Sequence, residues 1–559
     1  MDILRTTLLD YGLLTEDQMA VALERANLEE TTLRDAILWH NFLSDEELGK
    51  IVAEYFHVLF INLREKPIRD EVLQIIPEVV AKKNHSIIFD IDAENIFLAT
   101  SHPENLEFFN FLERREGLAV RVHFSTDRDI YEALGQYRKS ATEAFEDILK
   151  KNLDDATKSL DVDVDPPIIQ IVSTLVGYAQ RNKSSDIHLE PRDHDALVRF
   201  RIDGVLHDIA KLPKELHPQI ISRIKVLSNL RTDEHHTPQD GKLQVMLDDE
   251  QLDIRVSIIP ITNGEKAVLR LLSDQSRQFS LSNLGIGTED LQKIQDAYQR
   301  PYGMVLVTGP TGCGKTTTLY SFLKLLNRRN VNIMTIEDPV EYDVEGVNQI
   351  QVNPDANLTF ATGLRSILRQ DPNVILVGEI RDNETAGIAI NLAMTGHLVL
   401  STLHTNNAST TIPRLLDLGV EPFLITSTVN AIIAERLVRK IHEACRVSKE
   451  VPLKELFEKI DQKNVELVFG STDPEAPTRI YYGKGCLSCH GTGFQGRTGI
   501  FEVLSFNDVL RKAIIDRKNS NEIEDLARSF GMRTMLEDGL NKVKRGVTTI
   551  EEVIRVSRE

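Results

Sequence analysis

Residues Met304 to Leu319 read M-V-L-V-T-G-P-T-G-C-G-K-T-T-T-L. The apolar or β-branched residues Met304, Val305, Leu306 and Val307 predict a short buried strand. Gly309-Pro310-Thr311-Gly312-Cys313-Gly314-Lys315-Thr316 then fits the spacing G-x-x-x-x-G-K-S/T without a mismatch. From Lys315 to about Asn327, Leu319, Phe322, Leu323 and Leu326 fall on one helical face. Strand, glycine-rich loop and helix form the setting in which such a loop binds phosphate. Glycines let successive backbone N–H groups turn inward, and the helix N-terminus adds the positive end of its dipole. The spacing therefore places Lys315 on the β- and γ-phosphates of a nucleotide and the Thr316 hydroxyl on Mg²⁺. Gly309 to Thr316, with Thr317 behind them, are the expected nucleotide-binding residues.

Three further apolar strands are expected downstream, at Val331 to Ile336, Val374 to Val377 and Leu398 to Leu403. Their spacing suits a parallel sheet with crossover helices. Open α/β sheets bind ligands at the C-terminal ends of their strands, and here those ends carry the polar residues. The second strand runs into Glu337-Asp338-Pro339, the third into Gly378-Glu379-Ile380-Arg381-Asp382, and the fourth into His404. One carboxylate at such a position holds Mg²⁺, and a second orients or deprotonates the attacking water. A lone glutamate there is commonly a solvated strand end; two of them downstream of a phosphate loop favour catalysis.

A chain of 559 residues, 41% hydrophobic, has room for three or four domains. It contains no run of 18 or more apolar residues, and M-D-I-L-R-T-T-L-L-D lacks the basic and apolar regions of a signal peptide. Both point to the cytoplasm. A net charge of −20 repels phosphate backbones and argues against nucleic-acid binding by the chain as a whole, though a local basic groove stays open. Cys313 lies inside the phosphate loop as a small space-filler. The other three of the four cysteines, Cys445, Cys486 and Cys489, cluster in a way that suggests metal instead of disulfides. Cys486-Leu487-Ser488-Cys489 is a C-x₂-C knuckle, and His442-Glu443-Ala444-Cys445 repeats the spacing with histidine first. Together they make a Cys₃His set suited to a closed structural zinc site. The alternative is a degraded site with His442 on the surface.

Near the N-terminus two segments are similar at an offset of 29 residues, Leu4 to Thr15 and Leu33 to Ser44. Each ends in a capping-box pattern, Thr15-x-x-Gln18 and Ser44-x-x-Glu47, which predicts helix, turn, helix twice over. Strands at Ser86 to Ile91, Asn95 to Thr100 and Ala119 to Phe124, with a helix from Leu106 to Glu116, complete a small α/β domain over 1–140. It reads as a docking domain for a partner protein; a ligand-binding module is the alternative. Ala141 to Asp165 is polar and acidic and reads as a linker.

Residues 166–280 read as an α/β middle domain: a helix from Ile168 to Ala179, then strands at Asp186 to Glu190, Leu197 to Arg201, Gln244 to Leu247, Leu252 to Ser257 and Ala267 to Leu272. Arg199, Arg201, Arg255 and Arg270 lie on or beside these strands. Arginines on a sheet are commonly solvated. Beside a phosphate site they can also serve as arginine fingers, contributed across domains or subunits.

Ile336 to Tyr342 (I-E-D-P-V-E-Y), Leu368 to Asp382 (L-R-Q-D-P-N-V-I-L-V-G-E-I-R-D) and Thr395 to Asn406 (T-G-H-L-V-L-S-T-L-H-T-N) resemble the Asp box, Walker B and His box of secretion ATPases, the assembly motors of type II secretion systems and type IV pili. The resemblance runs back through Ser185 to Pro191, Val198 to Gly204 and Pro238 to Gly241, and forward through Arg436 to Arg439 and Gly531 to Val556. It implies a RecA-like P-loop ATPase core over 281–559, with a zinc module at 440–497, behind a PAS-like middle domain and a small helical plus α/β N-terminal domain. It implies ATP and Mg²⁺ as ligands, with Lys315 and Thr316 on phosphate and metal. Glu337 becomes the base or water-positioning residue, Glu379 the Walker B carboxylate and Mg²⁺ site, and His404 a γ-phosphate sensor. Arg199, Arg201 and Arg255 fall where the family has arginines that reach the nucleotide between domains or subunits. The implied assembly is a hexamer that works on an inner-membrane platform protein and a cytoplasmic docking protein, peripheral to the membrane, without nucleic acid. A nucleic-acid-stimulated P-loop motor is the alternative.

The chain departs from the family in three places. His236 stands where an arginine often precedes P-Q-D-G. His442 replaces a cysteine of the usual four. Some relatives bind cyclic di-GMP through repeats beginning Arg-Leu-Gly, whereas Ile3-Leu4-Arg5 and Thr32-Leu33-Arg34 lack both the leading arginine and the glycine, which favours the docking role.

Overall fold

A computed structural model describes residues 5, 8, 9, 12–28, 33–39, 42–63, 66, 68–137, 150, 166–247, 250–272, 281–486, 489 and 491–557. The triplets at 3–5 and 32–34 lie partly outside these residues, and so does almost all of the 141–165 segment. The chain forms two compact units. One comprises Met1–Lys150 with Ile441–Val447 and Gly483–Phe494; the other comprises Lys151–Lys440, Ser448–Tyr482 and Gln495–Glu559. The cysteine-bearing segments of the expected 440–497 module thus cluster with the N-terminal unit, and the rest of that module with the second.

In the first unit both expected capping boxes form. Thr15 N–H donates to Gln18 Oε1 (3.0 Å) and Gln18 N–H to Thr15 Oγ1 (3.2 Å). Ser44 N–H donates to Glu47 Oε2 (2.9 Å) and Glu47 N–H to Ser44 Oγ (3.2 Å). These bonds satisfy helix-end donors and start the helices Glu16–Leu28 and Asp45–Tyr55. A four-stranded sheet follows, from β1 (Leu59–Phe60), β2 (Ser86–Ile91), β3 (Asn95–Thr100) and β4 (Ala119–Phe124) in the order β1-β4-β3-β2. The helix Leu106–Glu116 packs Phe108, Phe109 and Leu112 into the core built on Ile87, Ile88 and Leu98.

The second unit begins with the helix Pro166–Arg181 and a six-stranded antiparallel sheet. Its strands are β5 (Asp186–Pro191), β6 (Asp195–Ile202), β7 (Val205–Pro213), β8 (Gln239–Leu247), β9 (Glu250–Ile261) and β10 (Gly264–Leu272), in the order β7-β6-β5-β10-β9-β8. The pattern V-L-H-D-I-A-K-L-P of β7 hides its strand character. It is a largely uncovered edge whose register with β6 shifts between Val198 and Arg199, so its polar residues do not alternate cleanly.

The remaining strands are β11 (Gly303–Thr308), β12 (Ile333–Glu337), β13 (Asn348–Gln351), β14 (Val374–Val377), β15 (Leu398–Leu403), β16 (Val429–Ile441), β17 (Arg446–Pro452), β18 (Pro477–Gly483) and β19 (Phe494–Ser505). Seven of them form one sheet in the order β13-β12-β14-β15-β11-β16-β19. Its first six strands are parallel. Met304 and Leu306 enter one core with Ile336, Val377 and Val399; Val305 and Val307 enter the other with Leu376, Leu400 and Ile433. Burial on both faces explains the unbroken apolar run. Each such side chain contributes about 1.5–3 kcal/mol of burial. Among the described residues no helix is long and apolar enough to cross a membrane.

Candidate active site and metal-ligand cluster

At the C-terminal end of the central strand β11 the chain turns through the glycine loop into the helix Lys315–Leu326. Gly309 has φ 150° and Gly314 φ 111°. A Cβ on Gly309 would lie 2.5 Å from Cys313 Sγ, and one on Gly314 would lie 2.2 Å from Glu435 Oε1, so both the backbone and the space demand glycine. Lys315 Nζ donates to Gly309 O (2.8 Å) and Pro310 O (2.9 Å), which holds the loop closed on itself. Burial lowers the Lys315 pKa against the pull of Glu435 and Glu379. Thr311, Gly312 and Thr316 are exposed, Thr317 is half-buried, and Cys313 is packed inside.

The neighbouring strand ends are tied to this loop. Thr405 N–H donates to Thr308 Oγ1 (3.0 Å), which places His404 beside the end of β11. Thr402 Oγ1 donates to Gly378 O (2.7 Å) and Ile380 N–H to Thr402 O (3.0 Å), which fixes Glu379. Glu379 pairs with Arg381 (2.6 Å) and with His404 Nε2 (3.2 Å). Glu337, at the end of β12, is buried and receives Tyr320 Oη and Thr335 Oγ1, each at 2.5 Å, and Gln349 Nε2 at 3.2 Å. Glu337, Glu379 and His404 therefore lie at the C-terminal ends of the adjacent strands β12, β14 and β15, beside β11 and the loop that leads to Lys315. Arg199 and Arg201 stay on their own sheet, paired with Glu190 (2.8 Å) and Asp186 (3.4 Å). Arg255 pairs with Glu341 (2.7 Å), just beyond Glu337.

The sequence reading missed Tyr320, Gln349 and Glu435. Glu435 carried a usable signal, a single carboxyl in the apolar run of β16. It lies fully buried under the phosphate loop and accepts from Thr318 Oγ1 (2.7 Å). Burial pushes its carboxyl from 4.5 up to about 8, against Thr318 and Lys315, which pull it down. Between pH 4.5 and 8 the folded chain keeps a proton that the unfolded chain has lost, so stability from this group falls as pH rises through that window. Glu435→Gln is expected to melt a few degrees above the parent at pH 8.5, with the gap closing by pH 4.5. Thermal unfolding across that range checks it; a gap independent of pH would contradict it.

His442, Cys445, Cys486 and Cys489 converge in the first unit, with His442, Cys445 and Cys489 buried. Cys489 Sγ lies 3.9 Å from Cys445 Sγ and 3.7 Å from Cys486 Sγ, and Cys486 Sγ lies 3.3 Å from His442 Nδ1. A tetrahedral ion with sulfur ligands at about 2.3 Å sets ligand edges near about 3.8 Å, so the donor set fits a metal. The N–H groups of Cys486 (3.2 Å) and Gly493 (3.3 Å) point at Cys489 Sγ. The hydrogen bond from Cys486 and these donors favour its thiolate. Burial of His442 removes the alternative of a surface histidine. Arg128 Nε donates to Ala444 O (2.6 Å) and braces the knuckle. His85, His102 and Asp127 also gather in this unit, but Arg34 Nη1 lies 3.0 Å from Asp127 and neutralises it.

The family model described as "Type II/IV secretion system protein" matches residues 161–555, and the MshEN domain matches 56–144. The chain is 36% identical over 557 residues to the type IV pilus assembly ATPase PilB of Myxococcus xanthus, covering 97% of this chain and 96% of that one. It is 46% identical over 395 residues to the type II secretion system protein E of Pseudomonas aeruginosa, covering 71% and 76%. The crystal structure of the Legionella pneumophila ATPase DotB shares the fold, with TM-score 0.51 and 20% identity over 69% of this chain and 94% of that one. These relatives lend no support to the alternative of a nucleic-acid-stimulated motor. A phosphate loop beside strand-end carboxylates and a histidine, in a chain that the family model matches over residues 161–555 and a pilus assembly ATPase over 557 residues, makes it an ATPase that belongs to the type II/IV secretion system protein family.

Proposed function

We propose that this chain is a cytoplasmic, hexameric motor, peripheral to the inner membrane, that couples ATP hydrolysis to assembly of a type IV pilus or a type II secretion pseudopilus. The observation that carries the reading is the placement of Lys315, Glu337, Glu379 and His404 together at the C-terminal ends of adjacent strands of one sheet. An identity of 36% to a pilus assembly ATPase over nearly the full length of both chains supports it. Water attacks the γ-phosphate in line, oriented or deprotonated by Glu337. Lys315 donates to the β- and γ-oxygens, and the N–H groups of Gly309 to Thr317 hold the phosphates. Thr316 and Glu379 would hold Mg²⁺, which when bound neutralises charge on the phosphate oxygens. His404 reads the γ-phosphate through its bond to Glu379. Arg199, Arg201 and Arg255 reach the nucleotide from a middle domain or a neighbouring subunit. Residues 1–140 serve as the docking domain for a cytoplasmic partner, 141–165 as linker, 166–280 as the middle domain and 281–559 as the motor, whose strokes act on an inner-membrane platform protein. His442, Cys445, Cys486 and Cys489 would hold a structural zinc ion.

Steady-state hydrolysis by the metal-replete protein is expected to be unchanged by single- or double-stranded DNA and lost in Glu379→Gln. Strong stimulation by DNA would overturn the secretion or pilus reading, and full activity in Glu379→Gln would remove that carboxylate from the metal site.

A further inference from the structure

Glu337 is held by a hydrogen-bonded path that leads out of the active site. Tyr320, on the helix that Lys315 opens, is 1% exposed and donates to Glu337 Oε2 at 2.5 Å. Burial, and then the charge of Glu337, raise the phenol, so it stays a donor at working pH. The same hydroxyl accepts from Glu341 N–H (3.3 Å) and Gln349 Nε2 (3.3 Å). The ring stands edge-on to Tyr342, with centroids 4.6 Å apart, which fixes its direction. Glu341 is gripped from β9: Arg255 Nη1 lies 2.7 Å from Glu341 Oε2, and Arg255 Nη2 donates to Val340 O and to Glu341 O (3.3 Å). The order is Arg255, Glu341, Tyr320, Glu337, from one sheet of the unit to the other.

We propose that Tyr320 is a positioning residue for Glu337, and that the Arg255–Glu341 pair sets Tyr320, so that the middle sheet governs the orientation of the glutamate that handles water. This rests on the reading of Glu337 as base or water-positioning group. It gives Arg255 a second use. A guanidinium with both terminal nitrogens on Glu341 and Val340 does not reach a phosphate at the same moment, so gripping this loop and serving as a finger belong to different steps. In a charge-assisted bond to a carboxylate, loss of the donor costs the acceptor its fixed orientation.

The test uses the full-length protein and the variants Tyr320→Phe, Glu341→Gln, their combination, and Glu337→Gln. Hydrolysis and affinity for a non-hydrolysable ATP analogue are measured for each. Tyr320→Phe keeps the ring and is expected to lower kcat by about tenfold or more at unchanged KM and analogue affinity. Glu341→Gln, at a side chain one-third exposed, reproduces part of the loss, and the combination falls short of the two losses multiplied. Tyr320→Phe with parental kcat, beside an inactive Glu337→Gln, overturns the positioning role. A loss in Tyr320→Phe that comes with an equal loss of analogue affinity makes Tyr320 merely structural and overturns it as well. A silent Glu341→Gln, or losses that multiply in full, overturns the link to Arg255. An active Glu337→Gln is a separate failure, that of the base assignment itself.

Discussion

Lys315→Ala is expected to lower steady-state ATP hydrolysis on the order of 10² to 10³-fold, the cost of removing a preorganised donor from charge that grows in the transition state. The geometry gives the reason. Nζ sits at the mouth of a loop whose other donors are backbone N–H groups, and it spends its own bonds on Gly309 O and Pro310 O until an anion displaces them. Burial lowers its pKa, with Glu435 and Glu379 resisting, and arriving phosphates favour its charged form. Alanine removes that charge and leaves the loop without a partner for the γ-oxygens. Affinity for ATP should weaken as well, because the same contact exists in the ground state. Phosphate release and analogue binding on folded protein check both effects. Parental turnover in Lys315→Ala would place the reaction elsewhere and sink the active-site assignment.

The legible part of this molecule is the part where burial leaves a strict pattern. Met304 to Val307, Val374 to Val377 and Leu398 to Leu403 are covered on both faces, so the first two are unbroken apolar runs and the third carries only small hydroxyl residues, Ser401 and Thr402, among its leucines and valine; the polar residues follow at the C-terminal strand ends. Glu379 and His404 were readable for that reason. Tyr320 was not, because an aromatic residue between Leu319 and Phe322 on a helix looks like core, which it also is; only the placement of Glu337 opposite its hydroxyl reveals the second role. Arg255 was visible as an arginine on an alternating strand. Its grip on Val340 and Glu341 joins residues 85 and 86 positions apart, a distance over which periodicity says nothing. The segments at 441–447 and 483–494 carried a clear ligand spacing but no sign that they cluster with the N-terminal unit, since that depends on long-range contacts such as Arg128 to Ala444.

The second large effect is expected at that cluster: about one zinc ion per chain, lost in Cys489→Ser and in His442→Ala and retained in Cys313→Ala. Structural zinc sites are worth roughly 10–16 kcal/mol of apparent binding free energy, far above the margin by which a small loop module folds without metal. Among the described residues, His442 N–H to Gly493 O (2.9 Å) and Lys484 N–H to Cys445 O (3.0 Å) join the two segments, and Cys489 Sγ bridges them with contacts of 3.9 Å to Cys445 Sγ and 3.7 Å to Cys486 Sγ; Arg128 ties the first segment to the N-terminal part of the unit. Cys489 is the member whose loss should matter most. It touches both other sulfurs and takes two backbone N–H groups, so serine there leaves those donors facing a shorter, uncharged oxygen. Removing the ion with a strong chelator should therefore expose 441–447 and 483–494 to hydrogen exchange while the core around Val305 and Leu400, in the other unit, stays protected. Metal analysis and peptide-resolved exchange read both halves. Protein grown with ample zinc that carries no stoichiometric metal, or a module whose protection ignores the chelator, would show that the cluster holds itself together by packing alone.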